Sequence, residues 1–288
     1  MLVGSGAYAQ VRARSEESCS VLKIYNDNAG NDKDMRESEA AFFEYDTCVS
    51  GSAAIAPVLY RCLRAAETVA CLEMERYDCD LAQWVQTHDL TKLQNEAIYL
   101  SILIDVFCIV LQLRSLGVNH NDLYFRNVVL QKRRTIETVL VCHAHGYAQV
   151  TRDYNVRFID FGLVSSDVLD CLGRRNASLY ARFSQGGGGR GGSLLHPIYS
   201  ALRTKRCVDL ACLAQSISLA TPAGSSRLRS LCCKICNWVR QERLTDLEVC
   251  IQAVDCIESM LHADAPRCIR VPSVLEDRTG SKSLKRVD

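Results

Sequence analysis

A long apolar stretch near the middle of the chain sets the strongest constraint on its fold. Residues 97–113 read AIYLSILIDVFCIVLQL, an apolar run interrupted by Asp105, and the helical pattern extends from about residue 93 to Gly117. A helix that is apolar on every side must be buried, because it offers no polar face to water. The run is shorter than the ~18–20 apolar residues that a membrane span needs. We therefore expect a central buried helix and no membrane partner.

The composition is typical of a globular intracellular protein. Of the 288 residues, 48% are hydrophobic and 23% are charged, and the net charge is +1. This balance gives no reason to expect nucleic acid binding, and the basic runs at 131–134 and near the C-terminus are short. The N-terminus lacks the basic and apolar regions of a signal peptide, so we expect an intracellular, cytoplasmic location.

The chain contains 16 cysteines. In a reducing compartment they should stay as free thiols. The sequence CCKIC (232–236) has half of the spacing of a zinc site, but a tetrahedral site needs four ligands and no second pair lies nearby. CHAHG (142–146) could complete such a site only over a long range. We therefore expect no zinc site.

The first 75 residues predict short strands around one helix. MLVGSG (1–6) and AQVRARS (9–15) indicate a hairpin through a glycine turn. Further strands are indicated by SVLKIY (20–25), APVLYRCLR (56–64) and TVACLEME (68–75), which are rich in β-branched and aromatic residues. Residues 32–48 predict a helix, with apolar residues at helical spacing near its end.

From about residue 80 the patterns become mainly helical. Asp80 suits the N-cap of a helix that begins DLAQWVQTH, and the long apolar helix follows. NVVLQ (127–131) and VRFID (156–160) indicate short strands, and the β-branched residues between them predict an extra hairpin. QGGGGRGG (185–192) predicts a flexible loop. Three more helices are indicated at about 207–220, 226–242 and 245–262.

Several short motifs follow one another along these elements. The sequence from Gly4 to Val11, GSGAYAQV, is close to G-x-G-x-x-G-x-V, with Ala9 in place of the third glycine. Lys23 follows on a predicted strand and Glu39 on the next helix. Then come HNDLYFRN (120–127), FIDFG (158–162) and VDLACLAQSI (208–217), the last of which begins a helix with an aspartate.

Together these motifs resemble the eukaryotic protein kinase family over residues 1 to about 265. Each motif lies on the element that the family requires: the glycine loop on a hairpin, the lysine on a strand, the catalytic loop after a long helix and DFG after a strand. The substitutions and the abundant cysteines are similar to those of serine/threonine kinases of large DNA viruses, which would place the protein in a host cell.

The resemblance implies an α+β, two-lobed protein-kinase-like fold with a small β-rich N-lobe and a larger, mainly helical C-lobe. The chain would form one such domain over residues 1–288. The N-lobe would span 1–76 and the C-lobe 77–265, with an insertion near 132–155 and a polar tail at 266–288.

The resemblance also implies ATP and Mg²⁺ as cofactors and suggests how the N-lobe would bind ATP. The glycine loop, with Gly4, Ser5, Gly6 and Val11, would cover the nucleotide, since glycines let backbone amides approach phosphates. Lys23 would hold the α- and β-phosphates and would be oriented by Glu39. The adenine pocket would be lined by Met74, with a hinge of Glu75–Tyr77.

The catalytic roles implied by the family fall on residues of the two later motifs. Asp122 would accept the proton of the substrate hydroxyl. Asn127 and Asp160 would bind Mg²⁺, which neutralises charge on the transferred phosphate. His120 would be a packed histidine that supports the loop.

The motifs also depart from the family pattern. Asn121 stands where most kinases have arginine, and Tyr124 stands where Ser/Thr kinases have lysine; Arg126 follows four residues after the aspartate, as in tyrosine kinases. No Ala-Pro-Glu follows DFG, and HPIYSALR (196–203) occupies that region. Three residues before Gly4 predict either a short first strand or a chain that continues upstream.

We predict a kinase that transfers the γ-phosphate of ATP to a protein hydroxyl, on Ser/Thr rather than Tyr. Two alternatives stay open. A pseudokinase, acting as a nucleotide-dependent or structural binding module, is favoured by Tyr124, Ala9 and the short first strand. A kinase-like small-molecule phosphotransferase shares H-x-D-x-x-x-x-N, but the DFG motif and the glycine-rich segment after it disfavour that reading. The sequence does not identify the protein substrate or the oligomeric state.

Overall fold

The computed structural model describes residues 1–5, 9–26, 33–49, 55–143, 146–166, 208–241 and 244–263. Some sequence predictions lie outside these ranges: Gly6 of the glycine motif, the segments 185–192 and 196–203, and the tail 266–288. At Ser5 the description covers the backbone alone.

The N-terminal part of the chain is a five-stranded antiparallel sheet. Its strands lie in the spatial order β1-β2-β3-β5-β4. They are β1 (Leu2–Ser5), β2 (Ala9–Ala13), β3 (Ser20–Tyr25), β4 (Leu59–Ala65) and β5 (Thr68–Glu75). The predicted hairpin and the three predicted strands are confirmed.

Helix α1 (Lys33–Val49) packs against β4 and β5. Its inner residues Ala40, Phe42 and Phe43 are buried in the same core as Leu72 of β5. The helix predicted over 32–48 is therefore confirmed, and its apolar spacing marks the face that covers the sheet.

The link between α1 and β4 is fastened by one carboxylate. Asp46 is buried and accepts hydrogen bonds from the backbone N–H groups of Ile55 (3.1 Å) and Ala56 (2.9 Å). The Ile55 carbonyl in turn accepts from the Phe158 N–H at 2.9 Å. This chain of bonds ties the end of α1 to the strand that precedes the DFG motif.

After the sheet, the chain passes through β6 (Cys79–Asp80) into α2 (Leu81–Thr87) and α3 (Leu93–Ser115). Asp80 caps α2 as predicted, because its carboxylate accepts from the Gln83 N–H at 2.7 Å. Gly117 follows α3 with a φ of 66°, the left-handed conformation that commonly ends a helix.

Helix α3 is the central helix that the sequence predicts. Among the residues that the structure describes, it alone is long and apolar enough to cross a membrane. However, 72% of its most apolar window is buried inside the structure, so the apolar surface is used in packing.

A long hairpin separates the catalytic-loop motif from the DFG motif. Strands β8 (Val128–His143) and β9 (Gly146–Phe158) pair in antiparallel fashion, with an irregularity between Lys132 and Glu137. We predicted two short strands with a separate hairpin between them. The structure confirms the extra hairpin and corrects only its separation, because its residues continue the pairing of the flanking strands. Short strands β7 (Val118–Asn119) and β10 (Ser165–Ser166) pair beside it.

Three helices complete the described part of the chain: α4 (Val208–Ala220), α5 (Ser226–Arg240) and α6 (Asp246–Ala263). They lie close to the predicted ranges, and α6 packs against α3. One hydrophobic core runs from the sheet into the helices. A β-sheet region is thus followed by a mainly helical one, and the chain has the α+β, two-lobed, kinase-like fold that the motifs predict.

Candidate active site

Lys23, Glu39 and Asp160 form one charged cluster where β3, α1 and the end of β9 meet. Lys23 Nζ donates to both carboxylate oxygens of Glu39 at 2.7 Å and to Asp160 Oδ1 at 3.1 Å. The side chains of Lys23 and Glu39 are 14% and 2% exposed, whereas that of Asp160 is 46% exposed. The cluster is therefore a buried ion pair with an open carboxylate on its solvent side.

The charges in this cluster reinforce one another. Burial by itself would lower the pKa of Lys23, but Glu39 and Asp160 together outweigh it and raise that pKa above its usual value. Lys23 in turn lowers the pKa of Asp160, against the opposing effect of burial. The lysine stays a cation and the aspartate stays an anion at neutral pH.

The sheet register places the glycine motif and Lys23 in one row. Gly4 lies opposite Val11, Val11 lies opposite Lys23, and Lys23 lies opposite Leu72. Residues that lie opposite each other in neighbouring strands share a face of the sheet. A Cβ atom built on Gly4 would meet nothing within 4 Å, so the space beside this backbone is open.

Helix α1 carries three glutamates that could have faced Lys23. Glu37 instead pairs with Arg64 Nη1 at 2.7 Å and accepts from the Val69 N–H at 3.0 Å. Glu44 is exposed to solvent. The structure therefore brings Glu39, the residue we predicted, to the lysine.

The loop that begins at His120 is fastened to α4 by a buried aspartate. Asp209 accepts from the backbone N–H groups of His120 (2.9 Å) and Asn121 (2.6 Å). His120 Nδ1 accepts from the Asp122 N–H at 3.3 Å, and Nε2 lies 2.9 Å from the Ile159 carbonyl. Nδ1 therefore accepts a hydrogen bond from the loop backbone, and Nε2 can donate one to that carbonyl. His120 is fully buried and supports the loop, as predicted.

Asp122, the predicted base, lies among polar partners. Asn127 Nδ2 donates to its backbone carbonyl at 2.7 Å and to its Oδ2 at 2.9 Å. Arg126 Nη2 lies 3.2 Å from both carboxylate oxygens. Burial raises the pKa of Asp122, and the Arg126 guanidinium opposes that rise. A carboxylate tuned in this way is a stronger proton acceptor than one in water.

Tyr124, which replaces the lysine of Ser/Thr kinases, is directed toward helix α4. Its ring packs against the buried cluster of Val208, Ala211 and Cys212 on that helix. The Arg126 guanidinium lies 5.1 Å from the centroid of the Tyr124 ring, and its side chain is 64% exposed. The cation next to Asp122 is therefore supplied by residue 126.

Asp160 and Phe161 form a tight turn after β9. Asp160 has φ 68° and ψ 56°, a left-handed conformation that few non-glycine residues adopt. The Phe161 ring stacks on Phe42 of α1 with centroids 3.9 Å apart and lies 4.6 Å from the His120 ring. Contacts with α1 and with the catalytic loop therefore hold the turn that directs Asp160 toward Lys23.

Met74 lies on β5, two residues after Leu72, the residue opposite Lys23. It is buried opposite Val21, which is two residues before Lys23 and therefore on the same face. Just beyond, the Tyr77 hydroxyl donates to Glu75 Oε2 at 3.2 Å. This position suits the prediction that these residues line a base pocket.

Two further residues of this region were not predicted from the sequence. Tyr25 donates its hydroxyl to Glu39 Oε2 at 2.6 Å, and its place two residues after Lys23 on a strand was the available signal. Asp46 holds the link after α1, and no local pattern marks a carboxylate that caps a distant backbone segment.

No family model matches the chain, and no curated protein matches its sequence. Among solved structures, the chain is similar to a crystal structure of a kinase domain, with 16% sequence identity and a TM-score of 0.44. The match covers 58% of this chain and 51% of that chain, so it spans about half the length of the matched structure. The kinase-like fold is assigned from the order of the elements and the positions of the motifs.

Proposed function

We propose that the chain is an ATP-dependent protein kinase that transfers the γ-phosphate to a serine or threonine hydroxyl of a protein. The observation that carries this proposal is the position of Lys23 Nζ between Glu39 and Asp160. Phosphoryl transfer needs a fixed cation for the phosphates next to a carboxylate that is open to a metal ion. The cluster offers both.

The donor atoms at the site fit Mg²⁺, which binds oxygen ligands. Asp160 offers a half-exposed carboxylate. The Asn127 amide nitrogen donates to Asp122, which leaves Oδ1 of Asn127 to face a cation. Asn127 and Asp160 would hold the ion, and its charge would neutralise the transferred phosphate.

The remaining steps fall to side chains of the loop and the sheet. Asp122 accepts the proton of the substrate hydroxyl, and Arg126 adds positive charge beside it. Lys23 orients the phosphates while Glu39 fixes the position of the ammonium group. The backbone at Gly4 has no side chain in the way of a phosphate.

A pseudokinase that binds nucleotide without transferring phosphate is the second candidate. The observation that favours it is Tyr124, which packs against α4 and cannot supply the charge of the missing lysine. In that case Arg126 would serve only to pair with Asp122.

The proposal includes the setting of the enzyme. The proposed kinase acts inside the cell, in the cytoplasm, and the net charge of +1 gives no reason to expect nucleic acid or a membrane as a partner. An origin in a large DNA virus would place it in the host cell.

Transfer of γ-phosphate from ATP to a generic protein substrate, with Mg²⁺ present, tests the proposal. Asp160→Ala should abolish transfer while the circular dichroism spectrum and the melting temperature stay close to those of the wild type. Asp153→Ala, on the preceding strand β9, is the matched control and should keep its activity. Comparable transfer by Asp160→Ala and wild type would contradict the enzyme assignment, and ATP binding without transfer would support the pseudokinase.

A further inference from the structure

Tyr25 makes contacts that the transfer chemistry does not by itself require. It is 7% exposed, and its hydroxyl donates to Glu39 Oε2 at 2.6 Å. Lys23 Nζ lies 5.5 Å from the centroid of its ring, and the Arg36 guanidinium carbon lies 5.2 Å from the same centroid. The tyrosine therefore touches the carboxylate of the ion pair while two cations hold its ring.

The donors of Lys23 are all in use. An ammonium group has three N–H bonds, and here two point to Glu39 and one points to Asp160. A nucleotide phosphate can be bound only if at least one of these N–H groups turns away from its present acceptor.

Such a change would remove a hydrogen bond from the buried Glu39 carboxylate, and this loss costs free energy. Its side chain is 2% exposed, and a buried carboxylate that loses hydrogen bonds is costly because water cannot replace them. The bond from the Tyr25 hydroxyl to Oε2 does not involve Lys23 Nζ, so it can remain when Lys23 reorients. This bond can hold the Glu39 carboxylate, and with it α1, in place while the Lys23 ammonium group donates to both Glu39 and a phosphate.

We propose that Tyr25 is a positioning residue, which holds the Glu39 carboxylate in place so that Lys23 can share its N–H groups between Glu39 and a nucleotide phosphate. This inference rests on the proposed function, because it assigns Tyr25 a part in ATP binding.

The ring of Tyr25 is fixed independently of its hydroxyl. Arg36 is buried and donates to the backbone carbonyl of Asn26, so its guanidinium stays against the ring. Cations over an aromatic face are attracted to phenylalanine as well as to tyrosine. Tyr25→Phe should therefore keep the packing and remove one hydrogen bond.

The first test compares steady-state kinetics of Tyr25→Phe with those of Tyr60→Phe. Tyr60 lies on the same sheet and is 48% exposed, so this control removes the same atom without a bond to Glu39 being lost. Tyr25→Phe should raise the KM for ATP about tenfold, with the KM for the protein substrate unchanged. A mere loss of folded protein would lower kcat and leave both KM values unchanged. An unchanged KM for ATP, or an equal rise in Tyr60→Phe, would overturn the proposal.

The second test asks whether the hydroxyl acts through Glu39. In a Glu39→Gln background the carboxylate charge is absent, so adding Tyr25→Phe should change the KM for ATP by less than about twofold. An effect of Tyr25→Phe that is the same in both backgrounds would show that Tyr25 acts independently of Glu39.

Two measurements without turnover separate this inference from the proposed function. One is the dissociation constant of ATP by calorimetry, and the other is the rate at which an amine-acylating reagent labels Lys23, read by peptide mass spectrometry. Tyr25→Phe should weaken ATP binding about tenfold and label Lys23 several times faster than wild type. A wild-type protein that transfers no phosphate would contradict the proposed function alone. If ATP does not bind, the labelling rate decides, and equal rates in both proteins would overturn the role of Tyr25.

Discussion

At the scale of single residues, Arg126 carries the main departure of this site from the kinase pattern. It supplies a guanidinium 3.2 Å from both oxygens of Asp122, in a loop where Tyr124 has replaced the expected lysine. The cation thus reaches the proposed base from a position four residues later in the chain. The Arg126 guanidinium lowers the pKa of Asp122.

We predict that Arg126→Gln moves the acid limb of the kcat/KM profile to higher pH. Burial already raises the pKa of Asp122, Asp160 raises it further, and Arg126 and His120 lower it. Removing a lowering charge raises the pKa, so more of the base is protonated at a given acidic pH. At neutral pH the loss should be about threefold, because an exposed ion pair is worth ~0.2–1 kcal/mol.

Initial rates between pH 5 and pH 8 test this prediction. Arg134→Gln, an exposed arginine on β8, is the control and should keep the wild-type profile. An acid limb that stays in place, or that moves to lower pH, would show that Arg126 does not act on Asp122.

At the scale of elements, the sequence predicted what local patterns determine. Three features depend on only a few neighbouring residues, and the structure agrees with the prediction for each. They are the cap at Asp80, the end of α3 at Gly117 and the helical spacing of Phe42 on α1. Glu39 was identified for the same reason, since it lies on the inner face of a helix. The bond from Tyr25 and the full length of the β8–β9 hairpin were missed, because both depend on pairing between separate segments.

The hairpin is anchored to α3 by a buried ion pair. Arg152 on β9 donates to Asp105 Oδ1 from Nε at 2.9 Å and from Nη2 at 2.5 Å, and the Asp105 side chain is 9% exposed. Nearby, Trp84 Nε1 donates to the Tyr154 hydroxyl at 3.1 Å. The first contact couples the long hairpin to the central helix α3, and the second couples it to α2.

We predict that Arg152→Met lowers the free energy of unfolding by about 3–5 kcal/mol at pH 7, because it leaves a buried carboxylate without its cation. Burial raises the pKa of Asp105 and Arg152 opposes that rise. Without Arg152 the folded-state pKa lies further above the unfolded value of ~3.9, so stability falls as pH rises through that range and is regained toward pH 4.

Urea denaturation at pH 4 and pH 7 measures this effect. Adding Asp105→Asn to Arg152→Met should restore most of the lost stability, and Arg134→Met on the same hairpin should change it by less than about 0.5 kcal/mol. A penalty that is equal at the two pH values would argue against a buried charge as its cause.

At the scale of the whole molecule, neutral contacts hold the start of the segment after DFG. Asn121, at φ 70°, donates from Nδ2 to the Leu163 carbonyl and to Ser165 Oγ, each at 2.8 Å. The pairing of β7 with β10 adds to this attachment. In kinases with an arginine at this position, that cation binds a phosphorylated residue of the segment, whereas an amide offers no such charge.

We therefore predict activity that does not depend on phosphorylation of the segment. Phosphatase treatment of the purified protein, verified by mass spectrometry, should change the initial rate by less than about tenfold, equivalent to ~1.4 kcal/mol of barrier. A kinase known to need phosphorylation serves as the control for the treatment. A larger drop would mean that a phosphate, bound by other cations, orders the site.

The stacking of Phe161 has a consequence for inhibitor design. This ring is fully buried, and it contacts both α1 through Phe42 and the loop of Asp122 through His120. A compound that displaces the ring must break both contacts at once. A compound that binds beside Lys23 and leaves the Phe161 ring in place keeps both contacts, so it avoids that energetic cost.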